Sequence, residues 1–286
     1  AVFGGTAALV AVAIWGYVGS RRLVVKRVVL QPPRLPTALD GLTIVQLTDL
    51  HVGPHTPRGF LRRVGALTRD AEPHLVVVTG DLVDDFPRDV DHYARAFSDL
   101  AAPLGVFATP GNHDVYAGWR EVRERLDRLP LTVLVNEART LEWRGARFTL
   151  LGTGDPAGGT RTATGGVDLR AALEGAGGDA PVIALAHNPT LWPPLARAGV
   201  ALTLSGHTHW GQFALPRLGW SLASVFLPHG MGAHRDDDTL LWIHPGTNYW
   251  GIPFRLGTPP EVVVLTLRHG EAAELRGAPA PERTAG

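Results

Sequence analysis

The chain has 286 residues, enough for one large α/β domain or two small ones. Lys+Arg and Asp+Glu both number 27, so no global field draws the protein towards nucleic acid, and any anion specificity must be built locally. The absence of cysteine excludes disulfides, thiolate metal sites and a cysteine nucleophile.

The first segment, residues 1–20, carries no charge and is mostly apolar, which predicts a transmembrane helix. Trp15 and Tyr17 stand near its end, and basic residues begin the predicted juxtamembrane segment and linker 21–41. The alternatives are a buried core helix and a signal peptide, although a signal peptide carries its positive residues before the apolar stretch. The prediction implies a cell-membrane location through a single or last span, with the following domain on the cytoplasmic side.

Strand-like and helix-like patterns alternate along residues 42–270, which predicts an α/β domain. Apolar runs typical of strands lie at 43–48, 74–79, 105–109, 131–135, 148–152, 182–186, 200–205, 239–243 and 262–267. Helical spacing occurs at 57–70, 88–100 and 119–129. Helices in the first half and a strand-rich second half favour stacked sheets flanked by helices. The tail, residues 271–286, is predicted to be disordered.

Polar motifs rich in metal-binding side chains follow five of the predicted strands. The motifs are Asp49-Leu50-His51, Gly80-Asp81-Leu82-Val83-Asp84, Gly111-Asn112-His113-Asp114, Ala186-His187-Asn188 and Gly206-His207-Thr208-His209. Ligands of open α/β sheets bind beyond the carboxyl ends of strands, so these motifs are expected to meet in one crevice. The glycines before Asp81, Asn112 and His207 fit tight turns in which the backbone approaches the site closely. Each motif alone is also typical of an ordinary turn, but the five together favour a metal site.

The residue types in these motifs indicate which chemistry the site supports. Imidazole, carboxylate and side-chain amide suit Mn, Fe or Zn in a hydrolytic site, and the lack of thiolate argues against a purely structural zinc. Seven candidate ligands are too many for one ion, but two ions that share a carboxylate would each have about four protein contacts. Two cations roughly 3.5–4 Å apart can clamp the attacking and leaving oxygens of a phosphoryl displacement. The sequence therefore predicts a two-metal phosphoester hydrolase.

The motifs resemble those of the calcineurin-like metallophosphoesterase family, which are D-x-H, G-D-x-x-D, G-N-H-[DE], a lone H and G-H-x-H. All five are intact, and they extend from Asp49 to His209. The resemblance implies an α/β fold in which two mixed β-sheets, flanked by helices, form a four-layer sandwich. It places this metallophosphoesterase domain at residues 42–270.

The resemblance also implies a role for each residue of the motifs. One metal ion would be held by Asp49, His51 and His209, the other by Asn112, His187 and His207, with Asp81 as the bridge. His113 would protonate the leaving alkoxide or donate a hydrogen bond to the phosphoryl oxygen in the transition state. Asp84 and Asp114 would orient imidazoles or the ligand loops.

Within the family, the chain looks most like a bacterial membrane-associated branch that is often labelled UDP-2,3-diacylglucosamine hydrolase-like. The shared features are the apolar first segment, residues 34–42, residues 206–212 and the motif Tyr249-Trp250-Gly251. The branch implies a phosphodiesterase for a membrane- or envelope-related substrate, such as a phospholipid or nucleotide-linked glycolipid. A phosphomonoesterase of broad specificity is the alternative reaction, and a catalytically silent membrane-tethered scaffold is the alternative of another class. No nucleic-acid partner is expected, because the chain lacks a basic excess.

Trp210 stands where many family members have glycine after the second histidine of the last motif. An indole beside the metals would narrow the pocket or stack on a base or sugar of the substrate. The alternative is a tryptophan at the rim with no substrate contact. A Gly-rich stretch at 226–238 is either a lid over the pocket or, as we favour, a surface loop.

Overall fold

The computed structural model describes residues 2–33, 35–54, 56–176, 178, 180–236 and 238–270, so the predicted disordered tail at 271–286 lies outside the described residues. The α-helices of the described part are α1 (Val2–Arg21), α2 (Arg58–Asp70), α3 (Val90–Phe97), α4 (Asn112–Tyr116), α5 (Trp119–Leu126), α6 (Leu169–Glu174) and α7 (Trp192–Arg197). Its strands are β1 (Val24–Leu30), β2 (Thr43–Leu47), β3 (Leu75–Thr79), β4 (Val106–Thr109), β5 (Thr132–Val133), β6 (Glu137–Trp143), β7 (Ala146–Gly152), β8 (Val182–Leu185), β9 (Leu202–Ser205), β10 (Ala214–Leu215), β11 (Trp220–Ser221), β12 (Gly232–Asp236), β13 (Thr239–Ile243) and β14 (Glu261–Leu267).

Two mixed six-stranded sheets form the centre of the described structure. The first has the order β1-β14-β2-β3-β4-β5, and the second has the order β12-β13-β9-β8-β7-β6. Neighbours β2, β3 and β4 are parallel in the first sheet, and β7, β8, β9 and β13 are parallel in the second. Parallel strands end at the same edge, so the loops that follow these strands emerge together in each sheet.

The alternation of side chains along β3 explains why its apolar run is continuous. Leu75 and Val77 point into the core between the two sheets, where Leu150 and Ile183 of the second sheet face them. Val76, the residue between them, points to the opposite face and packs against helices. A strand covered on both sides needs apolar residues at every position. The predicted two-sheet arrangement is confirmed.

Helices cover the outer face of each sheet and complete the four layers. Leu61 and Val64 of α2 belong to the core on the outer face of the first sheet, together with buried residues of α3 and α5. Their spacing of three residues places both on one side of the helix. On the second sheet, Ala172 of α6 and Leu195 of α7 pack in the same way. The predicted flanking helices are therefore also confirmed.

The segment 21–41 is not only a linker, which corrects the prediction made from its basic residues. Residues 24–30 form β1, which pairs in parallel with β14 from Val24 opposite Glu261 to Leu30 opposite Leu267. The β-branched residues of this segment suit a strand. Its exposure alternates because β1 is an edge strand, and the basic side chains concealed this pattern.

Helix α1 packs against the domain at its last turns. The carbonyl of Gly16 accepts a hydrogen bond from the amide of Arg255 at 2.8 Å. Gly19 lies so close to the Arg255 carbonyl that a Cβ atom there would overlap it. Only a residue without a side chain allows this close approach of helix and loop.

In the described part of the chain, no helix is both long enough and apolar enough to cross a membrane. The predicted transmembrane helix at 1–20 is therefore wrong. The predicted cell-membrane location, with the domain on the cytoplasmic side, is corrected with it.

Replacing Leu150 with alanine tests the core between the sheets. Leu150 is fully buried, so Leu150→Ala should lower the free energy of unfolding by about 2–5 kcal/mol through lost burial and a residual cavity. Leu218 is 76% exposed, and Leu218→Ala should change the same quantity by less than about 0.5 kcal/mol. Urea unfolding followed by circular dichroism measures both, and equal effects would contradict the inter-sheet position of Leu150.

Candidate metal centre

The strand ends of both sheets bring the predicted ligands to one edge of the molecule. Those that follow strands of the first sheet are Asp49, His51, Asp81 and Asn112, and those that follow strands of the second are His187, His207 and His209. The side chains form two clusters of donor atoms that meet at one carboxylate. These residues are up to 160 positions apart along the chain, which is the separation of Asp49 and His209.

The first cluster consists of Asp49, His51 and His209, whose donor atoms all lie within 4.8 Å of one another. The Nε2 atoms of the two histidines are 3.0 Å apart, and the Nε2 atom of His209 is 3.2 Å from an oxygen of Asp49. All three residues are at least 94% buried. Two imidazole nitrogens that face each other beside a buried carboxylate form a donor set suited to a divalent cation.

The second cluster consists of Asn112, His187 and His207. The amide oxygen of Asn112 lies 2.8 Å from Nδ1 of His207 and 3.2 Å from Nε2 of His187. The two imidazole nitrogens are 3.3 Å apart. His207 therefore presents its Nδ1 atom, whereas His187 presents Nε2. Amide oxygen and imidazole nitrogen are again donors that transition-metal dications accept.

Asp81 lies between the two clusters. Its Oδ2 atom is 3.2 Å from Nε2 of His187 and 3.6 Å from Nε2 of His51, so one oxygen reaches both sides. Its Oδ1 atom accepts a hydrogen bond from the amide of His113 at 2.8 Å. Burial opposes the charge of this carboxylate, but the neighbouring imidazoles of His187 and His51 outweigh it and lower the pKa of Asp81 to about 2.

Hydrogen bonds behind the clusters fix the orientation of two imidazoles. Nδ1 of His187 lies 2.8 Å from the carbonyl oxygen of Thr79. A carbonyl only accepts, so Nδ1 carries a proton and Nε2 faces the cluster. Nδ1 of His51 lies 3.1 Å from Oδ1 of Asp84, so Nε2 of His51 likewise faces its cluster. Partners of this kind usually orient metal-binding histidines.

The backbone is strained where it carries the donor atoms. Five of the seven predicted ligands adopt φ angles between 41° and 71°: Asp49, His51, Asp81, His207 and His209. Non-glycine residues in this region cost of order 1–3 kcal/mol each and persist only where the surroundings determine them, most often at functional sites.

Glycines next to these residues allow the loops to approach one another. Gly80 has φ 87°, and a Cβ atom there would lie 2.6 Å from Nδ1 of His187. A Cβ atom at Gly111 would overlap Asp81, and one at Gly206 would overlap Asp49. The predicted close approach of the backbone at these three glycines is confirmed.

Asp114 connects the loops that follow β3 and β4. Its two oxygens accept hydrogen bonds from the amides of Leu82 at 3.0 Å, Val83 at 3.1 Å and Gly111 at 2.9 Å. Complete burial, and then the charge of Asp81, raise the pKa of Asp114 to about 7. This carboxyl group contacts backbone rather than imidazole.

His113 stands at the opening of the centre, beside Asp84. Its Nδ1 atom is 3.1 Å from the carbonyl oxygen and 3.3 Å from Oδ1 of Asp84. Burial favours the neutral imidazole, but the hydrogen bond to Asp84 and the charge of Asp81 prevail and raise the pKa of His113 to about 9. The same hydrogen bonds, from His113 and His51, hold the pKa of Asp84 well below its usual value. These contacts with Asp84 and Asp81 favour the protonated form of His113.

Two exposed aromatic side chains flank His113. The ring of Tyr116 is 5.8 Å from its imidazole and the indole of Trp250 is 5.9 Å away, both edge to face. Their exposed fractions are 69% and 51%. Large exposed aromatic groups at the mouth of a polar site offer an apolar contact surface.

Trp210 takes neither of the two positions considered for it. It is 98% buried, its indole N–H donates to the carbonyl of Ile243 at 3.1 Å, and it packs with Trp192 and Leu241. The ammonium of Lys26 lies over its ring at 4.8 Å. A side chain enclosed in this way offers no face to a substrate, so we do not retain it as a substrate contact.

Sequence reasoning missed Asn248 and Arg255 in the segment that follows β13. The amide of Asn248 donates to the carbonyl of Asp49 at 3.2 Å, and its side chain donates to the carbonyl of Leu50 at 2.9 Å. The buried guanidinium of Arg255 donates to the Asn248 carbonyl at 2.5 Å and lies 3.3 Å from Nδ1 of His209. The available signal was a polar, Gly-containing loop after a buried strand, since β13 runs parallel to β9.

Asp155 was also missed, because it belongs to none of the five metal-binding motifs. It follows β7, is 99% buried and, among the described residues, its Oδ2 atom has no hydrogen-bond partner. Its Oδ1 atom accepts from the amide of Ala157 at 2.9 Å. Asp155 is a further carboxyl group at the same edge of the second sheet.

Two mixed sheets between helices, with imidazole, carboxylate and amide donors converging at their carboxyl edge, define a metal-dependent hydrolase. The chain belongs to the calcineurin-like phosphoesterase family, whose model matches residues 42–211, more than half of the chain. The matched residues therefore form a metallophosphoesterase domain. The family implies divalent metal ions, and the Asp and His groups described above are able to hold them.

Relatives and solved structures agree with this family. The chain is 32% identical over 250 residues to a zebrafish (Danio rerio) "transmembrane protein with metallophosphoesterase domain", a match that covers 82% of this chain and 55% of that protein. It is 34% identical over 227 residues to an uncharacterized metallophosphoesterase of Helicobacter pylori, a match that covers 79% of this chain and 60% of that protein. It thus spans little more than half the length of these relatives. The sulfate thiohydrolase SoxB of Thermus thermophilus has a similar fold, with TM-score 0.50 and 16% identity over 74% of this chain and 52% of that one.

Removing the Asp84 carboxylate should lower the pKa of His113. Asp84 stabilises the protonated imidazole, so in Asp84→Asn the proton should be lost at a lower pH than the value of about 9 in the parent protein. An NMR titration of the imidazole in chelator-treated protein measures this pKa. Asp85→Asn, which changes the exposed neighbouring carboxylate, is the matched control and should leave the titration unchanged. A His113 pKa unaffected by Asp84→Asn would contradict the assignment of its cause.

Proposed function

We propose that the protein is a phosphodiesterase that uses two divalent cations and acts on substrates with an apolar group beside the scissile phosphate. The observation that carries the proposal is the position of Asp81, one oxygen of which reaches both donor clusters, at 3.2 Å and 3.6 Å. A carboxylate in this position suits two cations that share a ligand.

The proposed ligands follow from the two clusters. Asp49, His51 and His209 would hold one cation, Asn112, His187 and His207 the other, and Asp81 both. The donors fit Mn, Fe or Zn because nitrogen and oxygen ligands predominate and thiolate is absent. In hydrolytic sites, such cations supply positive charge at the phosphoryl oxygens and an activated water molecule near neutral pH.

His113 is the proposed proton donor. Asp84 binds its Nδ1 atom, which leaves Nε2 without a hydrogen-bond partner among the described residues and available to a substrate. A protonated imidazole held in one orientation can deliver its proton to a leaving alkoxide, or donate a hydrogen bond to a phosphoryl oxygen as charge develops there. Asp84 positions this imidazole, and Asp114 positions the loops on which the ligands lie.

The charge around the centre favours a diester over a monoester. A phosphate monoester brings almost two negative charges to the site, whereas a diester brings one. In the described part of the chain, Arg255 is the cationic side chain that contacts a donor cluster. Its guanidinium already donates to the carbonyls of Pro245, Asn248 and Thr258. Without a free guanidinium or ammonium beside the scissile phosphate, the additional charge of a monoester would be poorly balanced.

The surface beside His113 indicates what the substrate carries. Tyr116 and Trp250 flank the imidazole, and Ile252, two residues further on, is 69% exposed. An apolar group next to the phosphate would cover this surface and gain the free energy of burial. The resemblance to UDP-2,3-diacylglucosamine hydrolase-like enzymes supports the same interpretation, with a phospholipid or a nucleotide-linked glycolipid as the substrate class.

Hydrolysis of bis-p-nitrophenyl phosphate with added Mn²⁺ tests the reaction. The parent protein should turn over this diester, and faster than p-nitrophenyl phosphate. His113→Ala should lower kcat by about 10²–10⁴-fold through loss of the proton donor. Asp81→Asn should lose both activity and bound metal, which elemental analysis of the purified protein measures.

Asp85→Asn is the control for these variants, because it removes an exposed carboxylate adjacent to the site without touching a proposed ligand. Faster turnover of the monoester would favour a phosphomonoesterase instead. Absence of turnover with Mn, Fe and Zn in protein that binds metal would leave a catalytically silent scaffold as the better explanation.

Trp250→Ala tests the apolar contact surface. Loss of an aromatic contact of about 0.5–1.5 kcal/mol should reduce kcat/KM for bis-p-nitrophenyl phosphate roughly 2- to 12-fold. Methyl p-nitrophenyl phosphate, which lacks the second aromatic group, should lose less. Trp15→Ala, at an exposed tryptophan of α1, is the matched control. Equal losses for both substrates would argue against a substrate contact at Trp250.

A further inference from the structure

A cavity of about 370 Å³ lies beside the metal centre, between the end of α1, the start of α2 and the loop after β13. Its walls include Arg21, Phe60, Arg63, Asn248 and Tyr249. None of the proposed metal ligands lines it, and neither does His113. One water molecule occupies about 30 Å³, so the space holds roughly twelve waters or a polar group of substantial size.

The charge of this cavity has one sign. Arg21 and Arg63 bring two guanidinium groups, and no acidic residue is among the lining side chains. Arg21 donates to the hydroxyl of Tyr17 at 3.2 Å and lies over its ring, and Arg63 has no ion-pair partner in the described part of the chain. Some other surface arginines are paired with carboxylates, for example Arg69 with Asp99 at 2.9 Å. The two cavity arginines thus remain available to an anion.

The start of α2 adds positive potential to the same wall. Pro57 and Gly59 line the cavity, and the helix has neither a side-chain cap nor an acidic residue in its first turn. Partial positive charge at a helix start, together with two guanidinium groups, is complementary to a phosphate. A Cβ atom at Gly59 would meet nothing within 4 Å, so the wall there is open.

We infer that this cavity binds a phosphate group, at a site separate from the metal centre. Arginine matches phosphate through parallel N–H donors, and arginines from two different helices, α1 and α2, line this cavity. Phe60 and Tyr249 provide an aromatic wall for the remainder of a molecule that carries the phosphate.

The loop after β13 connects this cavity with the metal centre. Asn248 lines the cavity and donates to the backbone of Asp49 and Leu50, and Trp250, two residues later, reaches His113. A substrate with a second phosphate would therefore have one phosphate at each end of this loop. The inference that a substrate supplies the phosphate rests on the proposed function. The site itself does not, because free phosphate would bind in the same way.

The number of inorganic phosphate ions bound by the manganese-loaded protein tests the site. Equilibrium dialysis should find one phosphate fewer in the double variant Arg21→Gln/Arg63→Gln than in the parent protein, or a Kd for one site raised about tenfold or more. Arg62→Gln, an exposed arginine of α2 outside the cavity, is the matched control and should bind as the parent does. Unchanged stoichiometry and Kd in the double variant would overturn the inference.

A pair of chromogenic diesters separates the two sources of phosphate. Thymidine 3′-phosphate 5′-(p-nitrophenyl phosphate) carries a second phosphate, and thymidine 5′-(p-nitrophenyl phosphate) does not. If the cavity holds a phosphate of the substrate, Arg63→Gln should raise KM for the first about tenfold without changing kcat, and leave the second unchanged. If both substrates are unaffected while phosphate binding is lost, the cavity serves free phosphate. Absence of turnover by the parent protein is a separate outcome, which would contradict the proposed reaction and leave the dialysis result standing.

Discussion

The placement of one buried carboxylate, Asp81, between two groups of imidazoles constrains the rest of the centre. A charged carboxylate at 2% exposure is stable only beside compensating positive charge or cations, and the surrounding histidines are arranged to provide it. The loop that carries Asp81 is held from behind by Asp114, and Gly111 leaves room for it. The strained φ angles of the neighbouring ligands are consequences of bringing five loops to one carboxylate.

Sequence reasoning succeeded where side-chain chemistry and periodicity agreed. The Val run of β3 and the polar motifs after β2, β3, β4, β8 and β9 predicted strands, crevice and family, because buried parallel strands need apolar residues at every position and end at a common edge. It failed where a local signal had two meanings. The basic residues of β1 resembled a juxtamembrane segment, and the pairing partner that makes it a strand, β14, lies more than 200 positions away.

The errors of sequence reasoning at the site, one residue misplaced and three missed, have a common physical cause. Trp210 is adjacent to His209 in sequence, but its φ of 52° turns the indole away from the cluster and into the interior. Asn248, Arg255 and Asp155 lie far from the recognisable motifs along the chain, and only the parallel order of β13, β9, β8 and β7 brings them to the same edge. Spacing along a sequence reveals neither the direction of a side chain in a strained turn nor which strands are neighbours in a sheet.

Each of the two clusters receives donors from both sheets. The packing of the interior between the sheets therefore contributes to the geometry of the site. His187, His207 and His209 follow the second sheet, whereas Asp81 and Asn112 follow the first, so the packed layer between the sheets sets the spacing of the donor atoms. Close-packed interiors transmit strain instead of absorbing it. Evolution of metal preference or rate in this enzyme can therefore proceed through apolar residues that never meet a substrate, by small changes in the spacing of two rigid layers.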